Sequence, residues 1–298
     1  MSSGRQSEPA WLEEACALLD QRVGHRVLER HRPDLAEKVV QLASQSGLAS
    51  PGQVVERLRS RPLDDPTVRD LLAKVTVNES YFFRDASTME TLRTQVLPRL
   101  IESRSRQKLL RVWSAGCSRG EELYSLAILL QECLPDPASW SVTLVGTDVA
   151  QSSLEAARAA LYSDWSLRTL SPQERDRYFL REGRRWHLRR EYRRNATFAL
   201  QSITTDPAPA PHEFDLLFFR NVAIYLSVEA TEAAFERLRQ AMAPGAFLVV
   251  GPSDPSPPYP WPTEIAPGAL YARRPPRDAP APPAPPPAVA EALPAPAP

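Results

Sequence analysis

Residues 111–130 read RVWSAGCSRGEELYSLAILL, and this stretch decides the fold class. An apolar run from Leu109 to Trp113 leads into a turn of small residues, and Leu123, Leu126, Ala127 and Leu130 then recur at helical spacing. Gly116 and Gly120 let the backbone of that turn approach a ligand closely. A strand that runs through such a turn into a helix N-terminus is the arrangement of a nucleotide-cofactor site. A second apolar run, SVTLVGTDV at 141–149, places Asp148 at its end, where an acid can accept from ribose hydroxyls. GxGxxG is absent, and the acid lies well beyond the roughly 20 residues that separate the two features in a dinucleotide fold, which disfavours NAD and FAD.

Outward from this unit, residues 109 to about 274 alternate apolar strands with amphipathic helices, predicting an α/β domain with a mostly parallel sheet covered on both faces. Between Tyr162 and Phe198 the chain turns polar and arginine-rich around WHLRREY, which suggests short antiparallel strands in an inserted subdomain. Residues 10–75 carry helical periodicity broken at Gly24, Pro33, Gly47, Pro51, Pro62 and Pro66, and predict a small bundle of short helices. The end from Pro275 is mostly Pro and Ala, too poor in large apolar groups to form a core, and reads as a disordered tail or linker that could reach a partner or a further domain. The expected organisation is 1–85 helical, 86–274 Rossmann-like with an insertion at about 162–198, and 275–298 tail.

The 298 residues hold 36 basic and 36 acidic side chains, so bulk charge gives no reason to expect nucleic acid as a partner. Cys16, Cys117 and Cys133 have no CxxC or metal-ligand spacing, and His25, His31, His187 and His212 are scattered, so no metal is expected. No uncharged run approaches the ~18 apolar residues of a membrane span, and the N-terminus lacks a secretory apolar core; a soluble, cytoplasmic protein is expected.

Two more segments carry the chemistry: TVNESYFFRD at 76–85 and FDLLFFRNVAIYL at 214–226. With WSAGCSRGEELYS and GTDV, they make four ordered motifs, and the chain from about Val23 to Arg273 resembles the CheR-type chemotaxis receptor methyltransferases. The resemblance implies a small helical domain followed by a Rossmann-like domain, S-adenosylmethionine as cofactor with S-adenosylhomocysteine as product, and a glutamate side chain of a chemoreceptor-like signalling protein as substrate. It also implies cofactor contacts from Asn78, Ser80, Arg84, Gly116, Glu122, Asp148, Ser202, Ile203, Arg220 and Asn221, with Arg84 and Tyr225 beside the reacting centre. Ser80 stands where the family usually has Thr, keeping a hydroxyl.

Carboxylate methylation suits these residue types. The nucleophile is already ionised near neutral pH, so the site must position it rather than deprotonate it. Against each functional assignment stands a plainer one: Phe82 and Phe83 as packing, Asp148 or Ser152 as a helix cap, Cys117 as a small core residue, and Arg181 to Arg194 as a solvated or docking face. A non-catalytic cofactor-binding scaffold and a small-molecule carboxyl methyltransferase are the alternative functions. The chain departs from the family at Arg119 in the glycine turn, at Ser202, at Gly251–Asp254, and in the helix PDLAEKVVQLASQSG, whose one cation is Lys38. The last departure predicts receptor docking with weak salt dependence, carried by the arginine-rich section or by a partner on the tail.

Overall fold

The computed structural model describes residues 8–76, 79–210, 212–259, 262–266 and 269–275. Asn78 and the end of the chain from Pro276 lie outside the described residues, and with them one expected cofactor contact and the tail.

Helices α1 (Ala10–Val23), α2 (Arg32–Gln45), α3 (Pro51–Ser60) and α4 (Pro66–Val75) form the N-terminal bundle. The breakers seen in the sequence act as starts and stops. Gly24 ends α1 in the left-handed conformation, prolines open α2, α3 and α4, and Asp65 caps α4 by accepting from the N–H groups of Thr67 and Val68. One apolar stripe per helix meets in a separate core containing Leu12, Leu19, Val39, Leu42, Val54, Leu58 and Leu72.

After α5 (Ala86–Thr91) and α6 (Leu97–Arg104), strand β1 (Leu109–Ala115) enters the sheet and α7 (Glu121–Cys133) follows the glycine turn. Then come β2 (Ser141–Asp148), α8 (Gln151–Ala159), β3 (Leu161–Tyr162), α9 (Pro172–Tyr178), β4 (Phe179–Glu182), β5 (Arg185–Leu188), α10 (Arg190–Arg193) and β6 (Ala196–Leu200). The domain closes with β7 (Phe214–Phe219), α11 (Val228–Ala241), β8 (Met242–Val250), β9 (Thr263–Ala266) and β10 (Ala269–Arg273). The main sheet has the order β6-β2-β1-β7-β8-β10-β9, parallel through β8 and antiparallel from β10 onward.

Burial explains the composition of these elements. All six residues of β7 are buried, as a central strand covered on both faces requires, and α7 buries Leu123, Leu126, Ile128, Leu129 and Leu130 around most of its circumference. Each such aliphatic side chain contributes about 1.5–3 kcal/mol relative to exposure. The expected insertion is the antiparallel sheet β3-β5-β4, whose Tyr162 and Phe179 grip Phe82 edge-on at centroid distances of 4.8 and 4.9 Å. Phe82 is therefore a core residue. β6 is an unforeseen strand at the sheet edge.

Candidate functional site

The glycine turn is fixed to the neighbouring strand. The N–H groups of Gly116 and Cys117 both donate to the Thr147 carbonyl, at 2.8 and 3.0 Å, and Gly116 and Gly120 take φ values of +76° and +85°. Asp148, one residue beyond Thr147, reaches into the turn. Its Oδ2 accepts from the Ser118 N–H at 2.8 Å and its Oδ1 from the Ala150 N–H at 2.9 Å. Burial raises the pKa of this carboxyl above the usual range, and those backbone donors partly oppose the shift. Asp148 thus shapes the turn, and its backbone donors do not use all the lone pairs of the carboxylate. The N-cap of α8 is Ala150, and Ser152 lies inside the first turn, so the alternative cap is not formed.

At the start of α7, Glu122 turns inward. It accepts from the Ser114 hydroxyl at 2.8 Å and from Arg220 Nη1 at 3.3 Å. The Arg220 side chain is fully buried, and its Nη2 pairs with Asp85. One guanidinium thus ties β7 to α7 and to the segment ahead of α5. Its neighbour Glu121 is buried as well, with its pKa raised by burial, and is hydrogen-bonded by the hydroxyls of Ser80 and Ser166.

The segment 79–85 is held by backbone bonds that demand its unusual shape. Phe83 N–H donates to Ser125 Oγ, the Phe82 carbonyl accepts from Thr169 Oγ1, and Phe83 and Asp85 both adopt positive φ. Arg84 projects from this segment with Nη1 donating to the Glu79 carbonyl at 2.7 Å. From the opposite side comes the turn after β7. Asn221, at φ +57°, donates its N–H to Asp254, which also accepts from Gly251 at 3.1 Å. The turn ends in Tyr225, whose carbonyl accepts from the Arg26 N–H at 2.8 Å and whose ring stacks on His25 at 6.5 Å. His25 and Leu226 form a bridge, and burial lowers the pKa of His25, so its ring is neutral at neutral pH.

These pieces line one cleft. Ser80, Arg84, Gly116, Glu122, Asp148, Ile203, Arg220, Asn221 and Tyr225 all border it. Ser202 does not: its side chain is buried, with its hydroxyl 2.9 Å from Thr204 Oγ1 and its N–H on Asp206. Gln201 borders the cleft in its place. Arg119 is likewise absent from the lining, and its carbonyl accepts from Tyr162. Cys117 is buried, and burial pushes its thiol pKa up, which favours the protonated thiol.

Sequence reading missed Asp85, Ser118, Gln201 and His25. Asp85 directly follows Arg84 and had a signal in its position; His25 had none, since only the fold brings it to Tyr225. Two buried acceptors on the cleft, Gln201 Oε1 and Ser118 Oγ, have no partner among the described residues. Such orphans are costly unless a ligand supplies donors, and an adenosine offers them through its amino group and ribose hydroxyls.

Residues 78–259 match the family model described as CheR methyltransferase, SAM binding domain. The chain is 33% identical to Chemotaxis protein methyltransferase 1 of Pseudomonas aeruginosa over 226 residues, 74% of this chain and 81% of that one. It is 34% identical to the Chemotaxis protein methyltransferase of Listeria monocytogenes over 185 residues, 62% of this chain and 68% of that one. It is 28% identical to Chemotaxis protein methyltransferase Cher2 of Pseudomonas putida over 249 residues, 82% and 87% of the two chains.

Proposed function

The chain belongs to the CheR methyltransferase family, and from that premise we propose that it methylates glutamate side chains of a chemoreceptor-like signalling protein, with the cleft as its reaction site. When bound, S-adenosylmethionine supplies a methyl group on a sulfonium, so that transfer to a carboxylate oxygen forms an ester and releases a neutral thioether with no proton to move. The residues of the chain have three tasks. Asp148, Gln201 and Ser118 would hold the adenosine portion, the Glu122 carboxylate would favour the cationic sulfonium, and Arg84 and Tyr225 would orient the entering carboxylate. Orientation at a near-attack separation of about 3–3.5 Å accounts for several kcal/mol of barrier lowering.

The observation that supports an acidic protein substrate most is a second recess that shares His25 and Tyr225 with the cleft. Arg26, Arg30, His31 and Lys38 border it, with Asp34 as the one carboxylate among the described residues. Lys38 is paired with Asp34 at 2.7 Å, so the loop between α1 and α2 provides the cations that α2 lacks. If an acidic receptor segment docks here, binding should weaken as salt rises, through Arg26 and Arg30, in contrast to the weak dependence expected from α2 alone.

Asp148→Ala is expected to weaken S-adenosylhomocysteine binding at least about tenfold in calorimetric titration, because charge-assisted hydrogen bonds contribute about 1.5–3 kcal/mol each. Unchanged affinity in a folded variant would remove Asp148 from the site. Methyl transfer itself is tested with labelled cofactor and receptor signalling fragments. The incorporated label should be released as methanol by mild alkali, the signature of a carboxyl ester. Arg84→Ala and Tyr225→Phe should slow transfer by about tenfold or more while changing cofactor affinity far less. Alkali-stable label would overturn the carboxylate assignment, and wild-type rates in both variants would overturn the two roles.

A further inference from the structure

On the far side of the cofactor turn, beside the edge strand β6, lies an open recess of about 570 Å3. Four arginines converge on it, Arg158 from α8, Arg190 and Arg193 from α10, and Arg194 just after, while Tyr124 and Phe198 form apolar wall. Among the described residues no carboxylate borders it. Arg158 donates to the Phe198 carbonyl at 2.7 Å, but none of the four forms an ion pair among the described residues. Other arginines vary: Arg104, Arg111, Arg175, Arg177, Arg220 and Arg239 each have a carboxylate, while Arg57 and Arg237 bond to a hydroxyl or to backbone carbonyls; the recess is set apart by four such groups gathered together. The Nε of Arg193 is already withdrawn from water and has no acceptor among the described residues. In a chain of zero net charge, four guanidiniums gathered without counter-charge repel one another, and an anion with several oxygens relieves that repulsion.

We propose that this recess binds a phosphate-bearing small molecule. Guanidinium forks match phosphate oxygens two at a time, and a di- or triphosphate carries enough charge to engage several of them together. The recess also has a route to the reaction cleft. Phe198 forms its wall, and the same ring packs against Gly146 and Gly120 so closely that a Cβ on either would lie 2.7 or 3.3 Å from it. Gly120 ends the cofactor turn, and Gly146 lies two residues before Asp148 on β2. A ligand seated against Phe198 is thus one aromatic ring away from the residues that shape the cleft, and any effect it has on cofactor affinity must be returned equally by the cofactor.

Pyrophosphate is the first probe, titrated calorimetrically into the full chain. Saturable one-site binding is expected both with and without saturating S-adenosylhomocysteine, which separates this recess from the cleft and makes the result independent of the methyltransfer reading. Arg193→Gln/Arg194→Gln should weaken that binding at least about tenfold, whereas Arg181→Gln/Arg184→Gln, which removes the same charge from the nearby hairpin, should change it by less than about twofold. Titrations with inorganic triphosphate, ATP and GTP then distinguish the sources of the phosphate: tighter nucleotide binding assigns a base on the Tyr124 and Phe198 wall, and equal binding assigns phosphate alone. Absence of saturable heat at millimolar pyrophosphate, or equal losses in the two double variants with both folded by circular dichroism, would overturn the proposal.

Discussion

Arg220→Met is expected to destabilise the protein by about 3–5 kcal/mol, the cost of removing one partner from a buried ion pair. The Arg220 side chain is fully buried, and Glu122 beside it is mostly so. Burial already raises the Glu122 pKa, and Arg220 is the strongest influence holding it down. Without the guanidinium that pKa must rise further. A carboxyl whose folded pKa lies above its unfolded value stabilises the fold below the unfolded pKa, and loses that contribution as pH rises through the folded one. The deficit of Arg220→Met relative to the parent should therefore be smaller at pH 5 than at pH 8. Adding Glu122→Gln should recover much of the loss at pH 8, whereas Asp85, at 33% exposure, can rehydrate unaided. Thermal melts of the three proteins at both pH values test this; a pH-independent deficit that Glu122→Gln fails to relieve would show that packing, and not charge, makes Arg220 indispensable.

Gly116→Ala is the second large expected effect, and it acts on the reaction more than on the fold. At φ +76° an alanine is strained by about 1–2 kcal/mol. Its Cβ would also lie 2.4 Å from Cγ2 of Val222, inside any real contact distance. Val222 belongs to the turn that runs from Asn221 to Tyr225, so relief comes by displacing that turn and its tyrosine. Misplacement by about 1 Å can slow an oriented transfer about a hundredfold. Single-turnover methyl transfer should fall by that order in Gly116→Ala, and Val222→Ala added to it should restore a substantial part by removing the obstructing methyl. Full activity in the single variant, or no restoration in the double, would mean that the two segments yield independently.

Much of this architecture is legible in the sequence because burial and local chemistry agree there. The run from Leu109 to Leu130 has a strand period, a turn that only small residues satisfy, and a helix period in succession, and the antiparallel insertion announces itself by interrupting that alternation. The four motif segments name most of the residues that border the cleft. What sequence conceals is relational. β6 has no buried face of its own to advertise, since its residues alternate between half-buried and exposed. Ser202 and Gln201 are adjacent, and which of them borders the cleft depends on a register set by pairing with β2. Asp85 and His25 act through partners 135 and 200 positions away, at Arg220 and Tyr225. The arginines of α10 read as an ordinary solvated face because a linear string does not disclose that Arg158 joins them and that no acid does.

The backbone pairing of His25 and Arg26 with Leu226 and Tyr225 bears on how such an enzyme can acquire a new substrate. The loop that borders the basic recess also borders the cleft, so a helical bundle transplanted from a relative would bring foreign masonry into the proposed reaction chamber. Such a chimaera would register as a catalytic failure even where docking had been transferred intact. Grafts intended to redirect such a chain should be cut so that residues 24–26 stay with the host turn at 221–227.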